Sequence, residues 1–277
     1  MTVEEKTRFE VRHINPEIGS EIRTDKETLL GGDHAGEIRE LLEKRGVLVF
    51  PKINMTDAEQ IAFTKTLGTF AYEIHGDEIF KITMDTAENY RADYLKGAFF
   101  WHIDGTMSDM PILASILSAK VLPETGGDTE FCNTYAAWEG LPEAKKKEIE
   151  GLRVLHSFWN SQLYHNPEPT LAKLKEWMSL GTKELPLVWK HRSGRKSLVL
   201  GNTAQYVIGM DSMESAKLLH GLREWATSEA FFLRHKWSLG DMVIWDNTGT
   251  MHRATPYDAA SGRMMHRTKL QGEEPFA

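Results

Sequence analysis

Apolar residues in the N-terminal part of the chain recur at the spacings of helices and strands. A helical pattern over 35–45 stops at Gly46, and the apolar run 47–50 follows it, which predicts a helix and then a buried strand. Thr56 and Glu59 have the spacing of a capping box, so a second helix is expected from there to Gly68. We expect this helix to bury Ile61, Ala62 and Leu67.

Further along the chain, short apolar or alternating runs are separated by turn residues. These runs predict strands over 9–13, 112–121, 128–132, 151–158, 231–237, 242–245 and 264–270, a hairpin over 187–200, and helices over 141–149 and 212–228. Many short strands with a few helices predict a mainly β protein, a sandwich or jelly roll with helices packed outside one sheet.

The chain length and one irregular segment bear on domain organisation. A length of 277 residues fits one large domain or two small ones, and mainly β folds of this size favour a single domain over 1–277. The segment 160–185 contains Pro167 and Pro169 and has no clear strand pattern. It is predicted to be an insertion over one mouth of the sheet, either an active-site lid or a plain surface excursion.

Composition excludes several classes of protein. The net charge of -7 gives no domain-wide positive field, which argues against a nucleic-acid partner. The single cysteine, Cys132, excludes a disulfide framework and a Cys-rich metal site within one chain. No apolar run has the length of a membrane span or the form of a signal peptide, so no membrane partner and a cytoplasmic location are expected.

The stretch 99–106 contains two metal-ligand residue types at close spacing. On an extended strand the side chains of His102 and Asp104 would lie on the same face, within reach of one ion. Two His and one carboxylate with open coordination positions suit non-haem Fe(II), and His252 is the best candidate for the second His. Asp246 could also ligate a metal, but the tighter His102 and Asp104 pair explains a facial site more simply.

Two arginines follow the candidate ligand His252. Arg263 and Arg267 are four residues apart in a predicted strand, so both should face the same side as Met265, while His266 faces away. A guanidinium binds a carboxylate through two parallel hydrogen bonds and keeps its charge. The pair therefore predicts one or two anionic small molecules as ligands, with surface salt bridges as the competing interpretation.

The order of these motifs resembles a known enzyme family. His102-x-Asp104, Gly126-Gly127-Asp128-Thr129, Trp245-Asp246-Asn247 leading to His252, and Arg263 to Arg267 are similar to the Fe(II)/2-oxoglutarate-dependent dioxygenases of the taurine and dichlorophenoxyacetate dioxygenase (TauD/TfdA) family. The resemblance runs from about Gly46 to the C-terminus. It implies a double-stranded β-helix, with Fe(II) held by His102, Asp104 and His252, and with 2-oxoglutarate and O₂ as cosubstrates.

The same resemblance implies roles for further residues. Thr129 and Arg263 match the positions that bind the far carboxylate of 2-oxoglutarate, and Arg267 matches a position that holds the substrate's own carboxylate or sulfonate. Trp245 matches an aromatic near the iron, with a core role as the alternative. His75 falls in a loop where some members place a substrate contact, with an ordinary loop histidine as the alternative. The family also implies a homodimer or homotetramer.

The implied reaction is hydroxylation of a small anionic organic substrate, with release of succinate and CO₂. If the hydroxylated carbon carries an ether oxygen or a sulfonate, the product breaks apart. Thr248 stands where the family often has Arg, and the 190–195 hairpin also departs from the family pattern, so the substrate stays open. A biosynthetic hydroxylase of an amino acid or related metabolite and a non-catalytic metal-binding β-barrel sensor are the alternatives.

Overall fold

A large sheet and a smaller facing sheet form the two layers of a jelly roll in the computed structural model, which describes residues 9–73, 76–89, 92 and 94–277. The strands are β1 (Glu10–His13), β2 (Ser20–Arg23), β3 (Val47–Phe50), β4 (Phe80–Ile82), β5 (Ala114–Val121), β6 (Thr129–Asn133), β7 (Arg153–Ser157), β8 (Thr182–Pro186), β9 (Val188–Lys190), β10 (Lys196–Leu198), β11 (Ala204–Val207), β12 (Phe232–His235), β13 (Met242–Asp246), β14 (Thr250–Ala254) and β15 (Met264–Leu270). The helices are α1 (Lys26–Gly31), α2 (Ala35–Arg45), α3 (Asp57–Leu67), α4 (Thr134–Glu139), α5 (Glu143–Ile149), α6 (Phe158–Leu163), α7 (Leu171–Met178) and α8 (Ser212–Ala226). The fold class predicted from the sequence is confirmed.

The large sheet has the strand order β1-β2-β3-β13-β5-β15-β4, and its pairings are antiparallel except between β2 and β3. The facing sheet has the order β12-β6-β14. Two smaller sheets, β11-β7-β8 and β10-β9, extend the structure beside it. Non-consecutive neighbours in the two main layers bring residues that are remote in sequence to adjacent positions.

Alternating side chains of the central strands are buried on both faces of the large sheet. Val243 and Trp245 of β13 pack between the two sheets, whereas Met242 and Ile244 pack beneath the N-terminal helices. β3 and β5 divide their side chains in the same way. The helices α1 to α3 cover the outer face of the large sheet, and the facing sheet covers the inner one. Because both faces are covered, every residue of β3 can be apolar, which accounts for its uninterrupted apolar run.

Helix α3 begins with the capping box that the sequence predicts. The Thr56 hydroxyl accepts a hydrogen bond from the Glu59 amide, and the Glu59 carboxylate accepts one from the Thr56 amide. The predicted buried face is partly wrong, because Leu67 is buried but Ile61 is half-buried and Ala62 is exposed. The residues that α3 buries are Gln60, Phe63, Thr64 and Leu67. Gln60 and Thr64 enter the core because they hydrogen-bond Ser118 and Thr268 of the sheet at 2.7 Å each.

The segment 160–185 is more regular than its sequence indicates. It contains the end of α6, the helix α7 and most of β8, which pairs antiparallel with β7 along its whole length. The absence of a strand pattern was therefore misleading, because Thr182, Lys183 and Glu184 of β8 are polar and poorly buried, and only its last two residues are buried. Among the described residues, no helix is long and apolar enough to cross a membrane.

Candidate metal and cosubstrate site

Residues His102 and His252 face each other in an isolated antiparallel bridge. The amide of His102 donates to the carbonyl of His252 at 3.0 Å, and the amide of His252 donates to the carbonyl of His102 at 2.9 Å. Directly opposed residues of an antiparallel pair project their side chains to the same face, and the two imidazole centroids lie 4.1 Å apart. β14, which carries His252, therefore fixes one ligand relative to the other through the backbone.

The stretch that carries His102 is not the strand that its sequence predicts. Residues Tyr94–Phe99 form a 3-10 helix, His102 makes the single bridge, and 104–107 form a turn. Gly105 has φ +84°, and a Cβ there would lie 2.8 Å from the backbone nitrogen of Ile112, so the turn requires glycine. The turn still directs Asp104 back towards His102, with Oδ1 at 3.8 Å from Nε2.

Ligand atoms of His102, Asp104 and His252 all lie within 4.8 Å of one another. The other carboxylate oxygen of Asp104, Oδ2, accepts a hydrogen bond from Ser115 at 3.1 Å and lies 3.4 Å from the Arg267 guanidinium. His102 directs Nε2 to the cluster because its Nδ1 donates to the carbonyl of Phe100 at 2.8 Å. Within the described part of the chain, this is the only group of three such ligands.

The protonation states of the cluster suit a metal ion. Burial lowers the pKa of His252 well below its ordinary value, so the imidazole is neutral. Burial opposes the ionisation of Asp104, but the neighbouring imidazoles and Arg267 outweigh it and hold the pKa of Asp104 below its ordinary range. The buried Nδ1 of His252 has no hydrogen-bond partner among the described residues. A divalent ion requires neutral imidazoles and an ionised carboxylate, so the donor set fits the 2-His-1-carboxylate site of Fe(II).

The cluster lies in the wall of a cavity of about 350 Å³ between the two sheets and the helix α6. Trp245 lines this cavity, and its ring centroid is 4.7 Å from that of His252. Its indole Nε1 donates to the Asn247 side chain at 2.9 Å, which fixes the ring. Thr129 also lines the cavity, and its hydroxyl accepts a hydrogen bond from the Trp237 indole at 3.0 Å, so the hydroxyl proton is left for an anion.

Arg263 and Arg267 line the same cavity, as their spacing predicts. Arg263 is 3% exposed, donates through one terminal nitrogen to the carbonyl of Gly127 at 3.1 Å, and packs over the Tyr257 ring at 4.8 Å. Arg267 donates to Glu73 at 3.1 Å as well as to Asp104. The Nε atoms of both guanidinium groups are buried without a partner among the described residues. Two positive groups with free donors in one cavity can bind anions.

The other sequence candidates lie elsewhere. Asp246 is on the opposite face of β13 from Trp245 and lines a different cavity, apart from the metal-ligand cluster. His75 lies outside the described residues. His266 faces away from the arginines and hydrogen-bonds Asp57 of α3 at 2.7 Å, in agreement with the alternation predicted for β15.

Two residues of the site, Glu73 and Ser115, were missed by sequence reasoning. Glu73 accepts hydrogen bonds from Arg267 at 3.1 Å and from Lys269 at 2.8 Å, and it lines the cavity. Ser115 bonds Asp104 and also accepts a hydrogen bond from Asn247 at 3.0 Å, which joins a metal-ligand candidate to the residue that fixes Trp245. A serine inside the apolar run of β5 was a usable signal, because a buried hydroxyl needs a partner.

Comparisons with known proteins agree with this site. The family model for taurine catabolism dioxygenase TauD, TfdA family, matches residues 10–269. The chain is similar to the alpha-ketoglutarate-dependent 2,4-dichlorophenoxyacetate dioxygenase of Cupriavidus pinatubonensis, with 34% identity over 268 residues covering 88% of this chain and 90% of that protein. It is also similar to an alkylsulfatase of Acinetobacter baylyi, with 32% identity covering 96% of this chain and 86% of that protein.

A solved structure shares the same fold. The crystal structure of AAD-2 in complex with Mn(II) and N-oxalylglycine superposes with a TM-score of 0.82 at 32% identity, covering 98% of this chain and 100% of that one. The family that the sequence motifs resemble is therefore confirmed. The family model matches residues 10–269, and the similarity to known members extends along nearly the whole chain. This chain therefore belongs to the TauD/TfdA family of Fe(II)- and 2-oxoglutarate-dependent dioxygenases.

Proposed function

We propose that His102, Asp104 and His252 hold the Fe(II) ion and that Arg263 and Thr129 bind the far carboxylate of 2-oxoglutarate. The observation that carries this assignment is the convergence of the three ligand atoms, within 4.8 Å, on a cavity that two buried guanidinium groups also line. Arg263 has a buried Nε without a described partner, which suits a bidentate carboxylate. N-oxalylglycine, the ligand of the AAD-2 crystal structure, is a 2-oxoglutarate analogue.

The substrate we propose is a small organic anion with an apolar body, of the phenoxy acid, alkyl sulfate or alkyl sulfonate type. Arg267 is the anchor for its charged end, because it is the second guanidinium of the cavity and Glu73 holds it in place. Apolar side chains on the other walls suit the body of the substrate, and Trp245 completes this surface. These side chains are Phe80, Ile82, Leu95, Leu117 and Phe158. Relatives named for phenoxy acids and alkyl sulfates support this class.

When bound, the ferrous ion and 2-oxoglutarate supply O₂ activation, with succinate and CO₂ as products and hydroxylation of a substrate C–H bond as the outcome. The contribution of the chain is position and exclusion of water. Ser115 and Arg267 orient the Asp104 carboxylate, and the carbonyl of Phe100 fixes the tautomer of His102. An Arg267 anchor at one end of an apolar cavity decides which carbon of the substrate lies next to the metal.

The first test is spectroscopic and needs no substrate. Anaerobic protein with Fe(II) and 2-oxoglutarate should develop a weak visible charge-transfer band, and His252→Ala should abolish it while the exposed His220→Ala keeps it. Absence of the band in the wild type, with zinc bound instead, would favour the metal-binding sensor. Succinate release across phenoxyalkanoates, alkyl sulfates, sulfonates and amino acids then identifies the substrate class. Turnover of amino acids alone would favour a biosynthetic hydroxylase.

The remaining features belong to the same proposal. We propose one dioxygenase domain over 1–277, supported by the family match over 10–269. A lid role for 160–185 is supported by Ser161 and Gln162 of α6, which line the main cavity. The homodimer or homotetramer, the cytoplasmic location and the substrate contact of His75 stay predictions.

A further inference from the structure

The carboxylate of Glu73 lies between two cations at the edge of the main cavity. One of its oxygens accepts a hydrogen bond from the Arg267 guanidinium at 3.1 Å, and the other accepts one from the Lys269 ammonium at 2.8 Å. Arg267 and Lys269 are two residues apart on β15, so their side chains share one face of the strand. The three side chains are only 10% to 16% exposed, so water and salt screen their charges little.

Backbone hydrogen bonds hold Glu73 in this position. Segment 69–71 runs antiparallel to the end of β15, and the Ala71 amide donates to the Lys269 carbonyl at 2.9 Å. Glu73 follows directly, and its own amide donates to the Asp77 carbonyl at 2.8 Å. The carboxylate is therefore a fixed part of the cavity wall.

The guanidinium of Arg267 keeps one donor for a ligand. Its Nη1 lies 3.4 Å from Asp104 and its Nη2 bonds Glu73, whereas the buried Nε has no partner among the described residues. The group packs over the Phe80 ring, 5.0 Å from its centroid, which holds its plane. An anion that binds this free donor therefore lies close to the negative charge of Glu73.

The charges around this donor leave one net positive unit for a substrate. On the proposed function, on which this inference rests, Asp104 serves the metal ion and Arg263 pairs with the far carboxylate of 2-oxoglutarate. Two cations, Arg267 and Lys269, and one anion, Glu73, remain. A buried charge is costly unless it is paired, so one net positive charge matches a head group with one negative charge.

We propose that Glu73 is a specificity-determining residue that admits substrates with a singly charged head group and rejects those with a doubly charged one. Carboxylates, sulfonates and sulfate esters carry one negative charge. A phosphate monoester has a second pKa of about 6, so it carries two negative charges at pH 8. A dianion loses more hydration on entering the cavity, and its second charge meets the carboxylate of Glu73 instead of a cation. Glu73 thus excludes phosphate esters that have the shape of a sulfate ester.

The test compares sulfate and phosphate esters of the same alcohol, which have tetrahedral head groups of similar size and differ in charge. The protein is loaded with Mn(II) and N-oxalylglycine, so that binding is measured without turnover. Isothermal titration calorimetry at pH 8 follows two pairs of probes, hexyl sulfate with hexyl phosphate and phenyl sulfate with phenyl phosphate. In at least one pair, the wild type should bind the sulfate at least about tenfold more tightly than the phosphate.

Removal of the Glu73 charge should reduce this preference. Glu73→Gln leaves two net positive charges, so the ratio of phosphate to sulfate affinity should rise at least about tenfold. Glu78→Gln is the matched control, because Glu78 pairs with Lys65 at 2.8 Å and does not line the cavity. The control should keep the wild-type ratio.

Changes at Lys269 separate the effect of charge from a structural role. Lys269 does not line the cavity, so Lys269→Gln removes a positive charge without removing a substrate contact, and sulfate binding should weaken several-fold. The double variant Glu73→Gln, Lys269→Gln restores one net positive charge and should recover the wild-type ratio. Loss of Lys269 would not repair a structural defect at position 73. If Glu73→Gln alone does not fold, Lys269→Gln and the double variant decide the test.

The outcomes separate this inference from the proposed function. Suppose that a sulfate binds the wild type and that Arg267→Met abolishes its binding, so that the anchor stands. The role of Glu73 is then overturned by an unchanged ratio in Glu73→Gln, by an altered ratio in the double variant, or by unchanged sulfate binding in Lys269→Gln. Equal affinity of the wild type for sulfate and phosphate overturns it as well. Failure of all four esters to bind the wild type overturns both the anchor and this inference.

Discussion

His102 and His252 hydrogen-bond each other through both backbone amides, at 3.0 and 2.9 Å, although they are far apart in sequence. Two proposed metal ligands thus share one bridge, and any displacement of one backbone is transmitted to the other. The backbone at Gly201 packs against this bridge. A Cβ at Gly201 would lie 3.1 Å from the Cα of His102 and 3.2 Å from the carbonyl oxygen of Trp101.

Gly201→Ala should therefore weaken metal binding without removing a ligand. The residue has φ +112°, so alanine is both strained and pressed against His102. We expect a loss of about ten- to a hundredfold in Fe(II) affinity, the range found for changes that disturb ligand orientation. The measurement is anaerobic titration with Fe(II). Gly194→Ala is the matched control, since Gly194 has φ +87° but open space around it, and it should retain wild-type affinity.

Arg263→Lys should weaken the apparent affinity for 2-oxoglutarate, with a rise of about ten- to a hundredfold in its KM and a smaller change in kcat. Lysine keeps the charge but loses the planar fork that binds a carboxylate through two hydrogen bonds. Steady-state kinetics with varied 2-oxoglutarate and a saturating organic acid would measure this. An unchanged KM for the cosubstrate would contradict the proposed role of Arg263.

Arg267→Lys should raise the KM for the organic acid rather than the KM for 2-oxoglutarate. Arg267 is held by Glu73 and by Asp104, so its fork is oriented before substrate binds. We expect KM to rise at least about tenfold for the organic acid and to change by less than about threefold for the cosubstrate. Comparison of the two lysine variants in one assay separates the two anion sites. Equal effects on both KM values would show that the two sites are not distinct.

The stability of the protein should fall with rising pH through the titration of Asp246. Its pKa is raised from 3.8 to about 7 by burial, so the folded chain holds a proton that the unfolded chain releases at lower pH. This contribution to stability is fully present below about pH 4 and is lost as the pH rises through about 7. Melting temperatures between about pH 5 and about pH 8 should therefore decline more steeply for the wild type than for Asp246→Asn. Asp33→Asn, at an exposed position, should follow the wild type.

The candidate ligand residues were easier to predict from the sequence than the local backbone conformation that positions them. The motif His102-x-Asp104 suggested ligands on one face of a strand, and the structure brings the two side chains together through a turn at Gly105 instead. β14 was missed because Thr250, His252 and Arg253 give it little apolar pattern. Its side chains alternate between layers, and only the pairing with β6 defines it as a strand.

Long-range polar contacts could not be predicted from spacing. Glu73 meets Arg267 and Lys269, which are almost two hundred residues away, and no periodicity links these positions. Helix α3 was placed correctly by its capping box, yet its buried face was misassigned because Gln60 and Thr64 are buried through hydrogen bonds to the sheet. A hydrophobic pattern reports burial only where the buried residues are apolar.

The bridge between His102 and His252 has a further consequence for the synthesis of the protein. A nascent chain on the ribosome presents His102 and Asp104 early, but their partner arrives with β14, and both arginines follow β14 in the sequence. A polypeptide that ends before β14 would therefore lack the proposed three-ligand iron site. Under this assignment, a growing chain completes the iron site once His252 has been added and completes the proposed cosubstrate site only after Arg263 has followed.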